Sequence, residues 1–488
     1  MQLNNLQDIL YFFIYNQILM KKLLLSFLIC FSGISTILAQ NSALLFGSTH
    51  TPQSNALNPA FYPKDNLFYV SLLGITPEMH LPLAYNDLFL ADKSNNRHYI
   101  NAWELGEKFQ RDNNMFLNTD IQYLGFGIKL HDFFATFSAN TKLHIHLGIP
   151  TGLASVFANR FDGLAGKVIT ISDQNLMQTT AYNELAFGGG YSISDFTVGA
   201  RAKLINGICD LRTTQTNFRL KFNDDNELCE ALIDYSLVKS GTQIFRQKNF
   251  GDVMSTMFSG KNWGFSFDIG AKYKWNMIEV SASLLDIGKG IHWRKEDIEI
   301  TPHSNLPIII NNANFGHLVM DNWDSLMHSF SIALDSIQIN DSAVGEEYWS
   351  PIPTKLNLGA TVTFGNIYRA GVLFHGEWDK NISFFDRTGN PVDKTMFRHT
   401  TSLFFGANLA NWVELMASLS VVKSGKKADW FNPGLGANFS IAKRLQIYAL
   451  INYVSHIKYK EIKGVNLQFG FNLMFGNRIL AKLVNNGN

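Results

Sequence analysis

The residues that could carry chemistry in this chain are few and scattered. His144 and His146 are two positions apart, so a β-strand would place both imidazoles on one face, where they could hold a metal ion. No third ligand suggests itself, and polar lining of an interior is the simpler interpretation. The sequence shows no nucleophile elbow, no HExxH motif and no glycine-rich phosphate loop. We therefore expect no catalysis, no metal site and no cofactor.

A second group consists of charged residues that recur on one parity of alternating segments. Their neighbours on the same parity are mostly Gly, Ser, Thr and Asn, whereas the other parity is rich in Phe, Leu, Val and Ala. These charges either pair within a filled interior or line a pathway, and their mixed signs favour pairing. The residues are Lys129, Lys142, Arg201, Lys203, Asp268, Lys272, Lys355 and Glu414.

β-Strands are the elements that would position these side chains. The clearest lies at 465–476, where Val, Leu and Phe alternate with Asn, Gln, Gly and Met. Similar alternation recurs in pairs along the chain, and each pair is joined by a short turn. Counting these runs predicts about 14 strands, with the last one pairing with a first strand near 67–75.

Composition limits where such a protein can reside. The chain has 488 residues, with 41 Lys and Arg against 40 Asp and Glu, so no basic field for nucleic acid is expected. Residues 1–39 are expected to be a secretory signal peptide, with Met20 as its translation start. Lys21 and Lys22 precede an apolar run, and Ala39 occupies the cleavage position. No later run approaches the ~20 apolar residues of a helical membrane span.

The fold class depends on whether the apolar faces of the strands contact a protein core or lipid. A soluble sheet would place charges on its other face, but here that face is dominated by small and uncharged residues. Closing the sheet in lipid removes both the open edges and the need for a second sheet. We expect an all-β fold, a transmembrane antiparallel β-barrel in the outer membrane of a Gram-negative cell, surrounded by lipid. The barrel would span 66–476, with a tail at 477–488.

Two further features concern loops and cysteines. Short and long connections alternate, as expected for periplasmic turns and extracellular loops, and the largest break is at 288–350. Cys209 and Cys229 flank a probable strand and turn, and export permits a disulfide between them. The spacing leaves open whether they pair.

The N-terminal part of the mature chain resembles a known family. Pro52 and Asn55 lead to Asn58-Pro59-Ala60-Phe61, and paired barrel strands follow. This arrangement resembles the FadL-like outer-membrane superfamily, which includes long-chain fatty-acid transporters and accessory barrels of type IX secretion, and is closest to a related family of unassigned function. The resemblance implies that residues 40–65 form a hatch in the lumen that carries Asn58, Pro59, Ala60 and Phe61.

Two functions follow from this interpretation. The first is passive uptake or binding of a hydrophobic or amphipathic small molecule through a hatch-gated lumen, with an apolar pocket near the hatch. The second is a non-transporting barrel whose long loops anchor or assemble an exported protein or lipoprotein. The first predicts a pocket beside the hatch, and the second predicts a filled lumen.

Overall fold

A computed structural model of the chain describes most residues between 43 and 476. It excludes 49, 64–65, 82, 85–86, 88–89, 93–96, 101–105, 108–113, 149, 160–162, 174–176, 224–227, 242–249, 259, 296–297, 312–317, 320–342, 345, 366, 380–383, 386–390, 393–395, 411, 425–426, 442–443 and 455–460. The predicted signal peptide, the start at Met20 and the tail at 477–488 lie outside the described residues.

The main body is a closed antiparallel barrel, and within the described residues it has 14 strands. They are β1 (Asn66–His80), β2 (Asn114–Leu130), β3 (Phe133–Gly148), β4 (Met177–Ile193), β5 (Phe196–Phe222), β6 (Asn262–Trp275), β7 (Ile278–Trp293), β8 (Thr354–Phe364), β9 (Tyr368–Asp379), β10 (Met396–Ala410), β11 (Val413–Ser424), β12 (Lys427–Ile441), β13 (Leu445–Val454) and β14 (Gly464–Gly476). The predicted strand number is confirmed.

The first strand closes the barrel because it pairs on both sides. β1 is antiparallel to β14, with Tyr69 opposite Met474, and it is antiparallel to β2, with Tyr69 also opposite Gly127. The predicted pairing of the last strand with the first is therefore confirmed. Closure leaves no free edge in this ring, so every strand can satisfy its backbone hydrogen bonds in lipid.

The outer wall is apolar and exposed, whereas the inner wall is polar and buried. Outward side chains that are more than half exposed include Phe187, Phe265, Phe267, Leu403 and Leu435. Inward side chains with no exposed surface include Asp268, Thr400, Ser420 and Asn472. An apolar band on the outside of a closed barrel matches a hydrocarbon solvent, so the chain is an outer-membrane β-barrel. No helix among the described residues combines the length and the apolar character needed to cross a membrane.

The two ends of the barrel differ in their connections. At one end the strands join through tight turns, where His131, Ser194 and Asn276 adopt positive φ angles. This is the periplasmic end, since short turns are typical of that side. At the other end β5 continues for 27 residues, and further strands extend the sheet at the rim. They are Val168–Asp173, Leu228–Ser240, Ile298–Asn311, Ala343–Val344 and Tyr348–Ser350.

The large break expected at 288–350 is therefore smaller than the sequence suggested. β7 continues to Trp293, and residues 298–311 form a strand that pairs with Leu228–Ser240. The helices are α1 (Ala43–Gly47), a 3₁₀ turn (Pro52–Ala56), α2 (Thr151–Ala158) and α3 (Phe250–Met257). Short strand pairs complete the described elements at Leu90–Asp92, Arg97–Ile100, Leu318–Val319, Phe384–Phe385 and Pro391–Val392.

Candidate functional site

Residues 43–48 and 50–63, which we call the plug, lie inside the lumen. All five residues of α1 are buried. Phe46 packs edge-on against Phe61 and Phe404, at ring-centre distances of 5.3 and 5.9 Å. Leu44 and Leu45 pack on a second cluster that includes Met416 and Tyr448. The plug thus has apolar contacts of its own inside a polar barrel, and these contacts fix α1 to the wall formed by β9–β13.

Polar side chains of the wall also form hydrogen bonds with the plug. The Leu57 carbonyl accepts hydrogen bonds from Ser283 Oγ at 2.6 Å and from Asn357 Nδ2 at 2.7 Å. Gln53 exchanges two hydrogen bonds with Asn472, at 2.8 and 3.0 Å. These bonds satisfy backbone and amide groups that would otherwise be buried without partners, and they define one position for the plug.

The Asn58-Pro59-Ala60 motif is the part of the plug that faces β5–β7. Asn58 is 1% exposed, and its Oδ1 accepts a 2.9 Å hydrogen bond from the Ala60 amide. Its Nδ2 donates to the carbonyls of Ala271 and Ala282, both at 3.2 Å. An asparagine here can therefore turn the plug chain and bind two barrel strands at once, which explains why this residue type suits the position.

Glycines of the wall make room for the plug. A Cβ on Gly199 would lie 2.6 Å from the Ala60 amide nitrogen and closer still to the Pro59 carbonyl. A Cβ on Gly270 would lie 2.9 Å from Pro59 Cδ, and one on Gly359 would lie 2.6 Å from a ring carbon of Phe46. Glycine weakens an ordinary strand, but here it permits close approach of another backbone or ring. We call Gly199, Gly270 and Gly359 the docking glycines.

A layer of ion pairs lies beside the plug. Lys142 Nζ is 2.8 Å from Glu184 Oε2. Lys203 Nζ is 2.9 Å from Asp268 Oδ1 and 2.5 Å from Asp286 Oδ1. All five residues are at least nine-tenths buried. Buried charges are tolerated when they are paired and hydrogen-bonded, so this layer holds the middle of the barrel wall together.

Arg201 connects the ion-pair layer to the plug. Its Nε and Nη2 atoms lie 2.7 and 2.5 Å from Asp268 Oδ2. The other nitrogen, Nη1, lies 3.4 Å from Asn55 Oδ1, and Nη2 also donates to the Ala56 carbonyl at 3.3 Å. The planar guanidinium can serve both partners at once, because its five N–H groups are arranged in a fork.

Cavities lie on two sides of the plug. One has a volume of about 110 Å³ and is lined by plug residues such as Gln53 and Asn55 together with mid-barrel residues of the wall. The other, of about 360 Å³, is at the periplasmic end, where His50 of the plug meets the turn residues Asn276 and Gly365. The plug therefore separates the middle of the lumen from its periplasmic mouth.

A second closure lies toward the extracellular end. It is formed by residues 348–353, which we call the strap, and residues 348–350 of the strap pair with the end of β7. Asp210 is fully buried and accepts hydrogen bonds from Thr180 Oγ1 at 2.6 Å and from Tyr348 OH at 2.7 Å. Ile352 of the strap packs into an apolar cluster with Trp293. The strap thus covers part of the lumen above the ion-pair layer.

The other residues singled out from the sequence are spread over the lumen. Glu414 accepts a 3.0 Å hydrogen bond from Ser48 of the plug, and Lys272 lies 5.9 Å from the centre of the Phe61 ring. Lys129 is half-buried near the periplasmic turn after β2. The structure therefore brings Glu414, Lys272 and Arg201 to the plug.

The two histidine rings contact different groups. His144 lies 3.0 Å from Asn118 Oδ1 and 3.4 Å from Tyr182 OH. His146 packs on the Phe116 ring, at a centre distance of 4.7 Å. Among the residues that the structure describes, no three His, Cys, Asp or Glu side chains are placed to hold a metal ion.

The structure does not bring the two cysteines together. Cys209 is a buried free thiol on β5, opposite Ala181. Cys229 lies on the neighbouring strand Leu228–Ser240 and is opposite Phe222, the last residue of β5. The continuous 27-residue strand explains the separation.

Asp286 is the functional side chain that the alternation pattern missed. It follows Ile278, Val280, Ala282 and Leu284 on the lipid-facing parity, so the pattern would place it outside. The β6–β7 register slips between Ile269 and Phe267, and Asp286 adopts a φ of 57°. A bulge of this kind re-aims a side chain, and here the carboxylate turns inward to Lys203.

Comparison with solved structures finds proteins of low sequence identity that align over most of the chain. The Ralstonia pickettii toluene transporter TbuX is 9% identical, with a TM-score of 0.43 over 87% of this chain and 94% of that chain. A Pseudomonas aeruginosa FadL homologue is 10% identical, with a TM-score of 0.44 over 91% of this chain and 99% of that chain. No curated protein matches the sequence.

A family model covers most of the chain. It matches residues 59–452, from the second residue of the Asn58-Pro59-Ala60 motif to β13, and its description is "Family of unknown function (DUF5723)". A family of unassigned function is what the sequence resemblance implied. The chain belongs to this family of unknown function, DUF5723.

Proposed function

We propose that the protein is a gated pore of the outer membrane, in which the plug must shift before a solute can cross. The observation that carries this proposal is the position of the plug between the mid-barrel and periplasmic cavities. Residues 40–65 are then the hatch, and the docking glycines with Asn357 and Ser283 form its seat. Passage through a pore needs no covalent chemistry, and we propose none.

The lining of the cavities bears on the cargo. The sequence led us to expect an apolar pocket beside the hatch. The cavity against the plug combines apolar side chains such as Leu57 and Phe137 with charged ones such as Asp120, Lys142 and Glu184. A wholly apolar molecule would strip water from these groups without replacing their hydrogen bonds. We therefore propose an amphipathic cargo rather than a purely hydrophobic one.

Deletion of residues 40–65 tests the gate. The purified variant and the full chain are inserted in planar bilayers and in liposomes, and we measure ion conductance and the flux of a short alkyl sulfonate. Gly406→Ala is a matched control, because its Cβ would have no neighbour closer than 3.5 Å. The proposal expects higher conductance and flux for the deletion and unchanged values for the control. Unchanged flux in a folded deletion variant would contradict it.

The second candidate is a barrel that anchors an exported protein, and the filled lumen favours it. The plug makes hydrogen bonds to several strands, and the strap closes part of the extracellular side. In that case the deletion variant would conduct but no solute flux would be found through the full chain under any condition. A protein or lipoprotein would also remain bound to the full chain during purification from native membranes.

A further inference from the structure

The mid-barrel cavity has the dimensions and walls of a small-molecule site. Its volume of about 110 Å³ would admit roughly seven to eleven waters, since each needs about 10–15 Å³ of this measure. A solute of similar heavy-atom count would fit the same space. The plug forms one wall, and β1–β5 with β7–β9 and β13–β14 contribute the rest. The site is therefore assembled only when the plug is seated.

Two buried polar atoms on the cavity wall have no hydrogen-bond partner among the described residues. They are the hydroxyl of Ser71, with no exposed surface, and Nε2 of His375, whose residue is 2% exposed. The other ring nitrogen of His375 is held by Asn357 Oδ1 at 2.6 Å, so the imidazole is fixed. Buried polar groups of this kind usually have a partner, and the cavity is the place where one would bind.

The ion pairs around the cavity leave one carboxylate open. Lys142 gives its direct contact to Glu184, at 2.8 Å, and stays 3.9 Å from Asp120. The Asp120 side chain is 31% exposed, unlike the other acidic groups of this layer. It therefore offers acceptor positions to a cationic group inside the cavity, without breaking the existing pairs.

The charge of the lining is balanced. The cations of the wall are Lys142, Arg201, Lys203 and Lys355, and the anions at or behind it are Asp120, Glu184, Asp268 and Asp286. A ligand with a net charge would disturb this balance at a buried site, which is costly. A neutral molecule that carries both signs would instead find a partner for each of its charged groups.

We propose that this cavity binds a small zwitterion with one ammonium and one carboxylate group, of the class of free α-amino acids. The ammonium binds Asp120, and the carboxylate accepts from Ser71 Oγ and from the lysines. His375 donates its Nδ1 proton to Asn357, so its Nε2 accepts a hydrogen bond from an N–H group of the ligand. The proposal deepens the proposed function by naming the polar group that the lumen recognises. It stands on binding alone, however, and does not require that the ligand crosses the membrane.

Equilibrium binding with the intact, purified chain tests the proposal. Glutamine is the probe, and N-acetylglutamine, which lacks the ammonium group, is its matched partner. Isothermal titration compares the wild type with Asp120→Asn and with Glu279→Gln, a lumen carboxylate at the periplasmic cavity. Loss of a hydrogen bond between charged groups corresponds to about tenfold or more in Kd. Asp120→Asn should weaken glutamine by this factor, and Glu279→Gln should not.

The pairing of probe and variant separates recognition from folding. Because Asp120 binds the ammonium group, Asp120→Asn should bind glutamine and N-acetylglutamine with the same affinity. If Asp120 had only a structural role, the substitution would lower the affinity for both probes by the same factor. Ser71→Leu, which fills the cavity, should abolish binding of both. The proposal is overturned if the wild type shows no binding of glutamine, or if Asp120→Asn keeps its full preference. Flux through the pore is measured in a separate experiment, so a failure of ligand binding does not contradict the proposed gate.

Discussion

The docking glycines give the sharpest test of the gate, and Gly199→Ala is the clearest perturbation. The new Cβ would lie 2.6 Å from the Ala60 nitrogen and closer still to the Pro59 carbonyl. These neighbours are backbone atoms, so they cannot rotate aside as a flexible side chain would. Either the plug or β5 must move by roughly 1 Å to restore contact at about 3.5 Å.

The expected size follows from the cost of overpacking. Inserting a methyl group into a filled site costs about 1–3 kcal/mol. If the seated plug bears that cost and the displaced plug does not, the ratio of open to closed pores rises by about 5- to 150-fold. The increase should appear as more frequent opening of single pores in planar bilayers at a fixed voltage.

Matched variants separate this mechanism from general destabilisation. Gly270→Ala and Gly359→Ala press on Asn58 and Phe46, and they should also raise the open fraction. Gly406→Ala adds the same methyl group to the lumen wall with no plug atom within 4 Å of the new Cβ, and it should behave as the wild type. Heat-modified mobility on gels shows whether each barrel is folded. If Gly199→Ala and Gly406→Ala open equally often, the seat does not control the pore.

Three further predictions concern the ion pairs, the lipid face and the plug. Lys142→Met should lower the free energy of unfolding, measured in urea, by about 3–5 kcal/mol, because it leaves Glu184 buried without its closest cation. The double variant Lys142→Met with Glu184→Met should recover much of this loss, because neither charge is then left unpaired. Leu435→Arg, on a side chain 66% exposed to lipid, should cost about 2–4 kcal/mol in bilayer refolding, whereas a water-facing site would tolerate it. In hydrogen exchange, the amide of Ala60 should exchange faster than that of Ser48, whose donor is held by the carbonyls of α1.

Most of the barrel could be predicted from the sequence because its rule is local. Alternation with period two decides which face of a strand meets lipid, and tight turns mark the hairpins. The pattern placed Arg201, Lys203 and Asp268 on one face, and the structure places their ion pairs there. The pattern fails where a bulge shifts the parity, and the inward turn of Asp286 depends on such a shift.

The seat of the plug could not be predicted, because it depends on contacts across hundreds of residues. Asn58 meets Ala271 and Ala282, and Gln53 meets Asn472. Alternation alone shows these wall residues as inward and polar, without indicating what they touch. The glycine-rich inner parity carried a signal, since glycine in a strand often marks close approach of another backbone, but it gave no partner.

The plug has two different attachments, and their difference sets the direction in which it can open. α1 buries Leu44, Leu45 and Phe46 against β9–β13, and each such side chain contributes about 1.5–3 kcal/mol. The segment at Asn58 is held on β5–β7 mainly by hydrogen bonds, each of net value near 1 kcal/mol because water in the lumen can replace them. The attachment at Asn58 is therefore the weaker one. A plug that pivots on α1 would release β5–β7 first, uncovering Arg201 and the mid-barrel cavity while α1 stays in place.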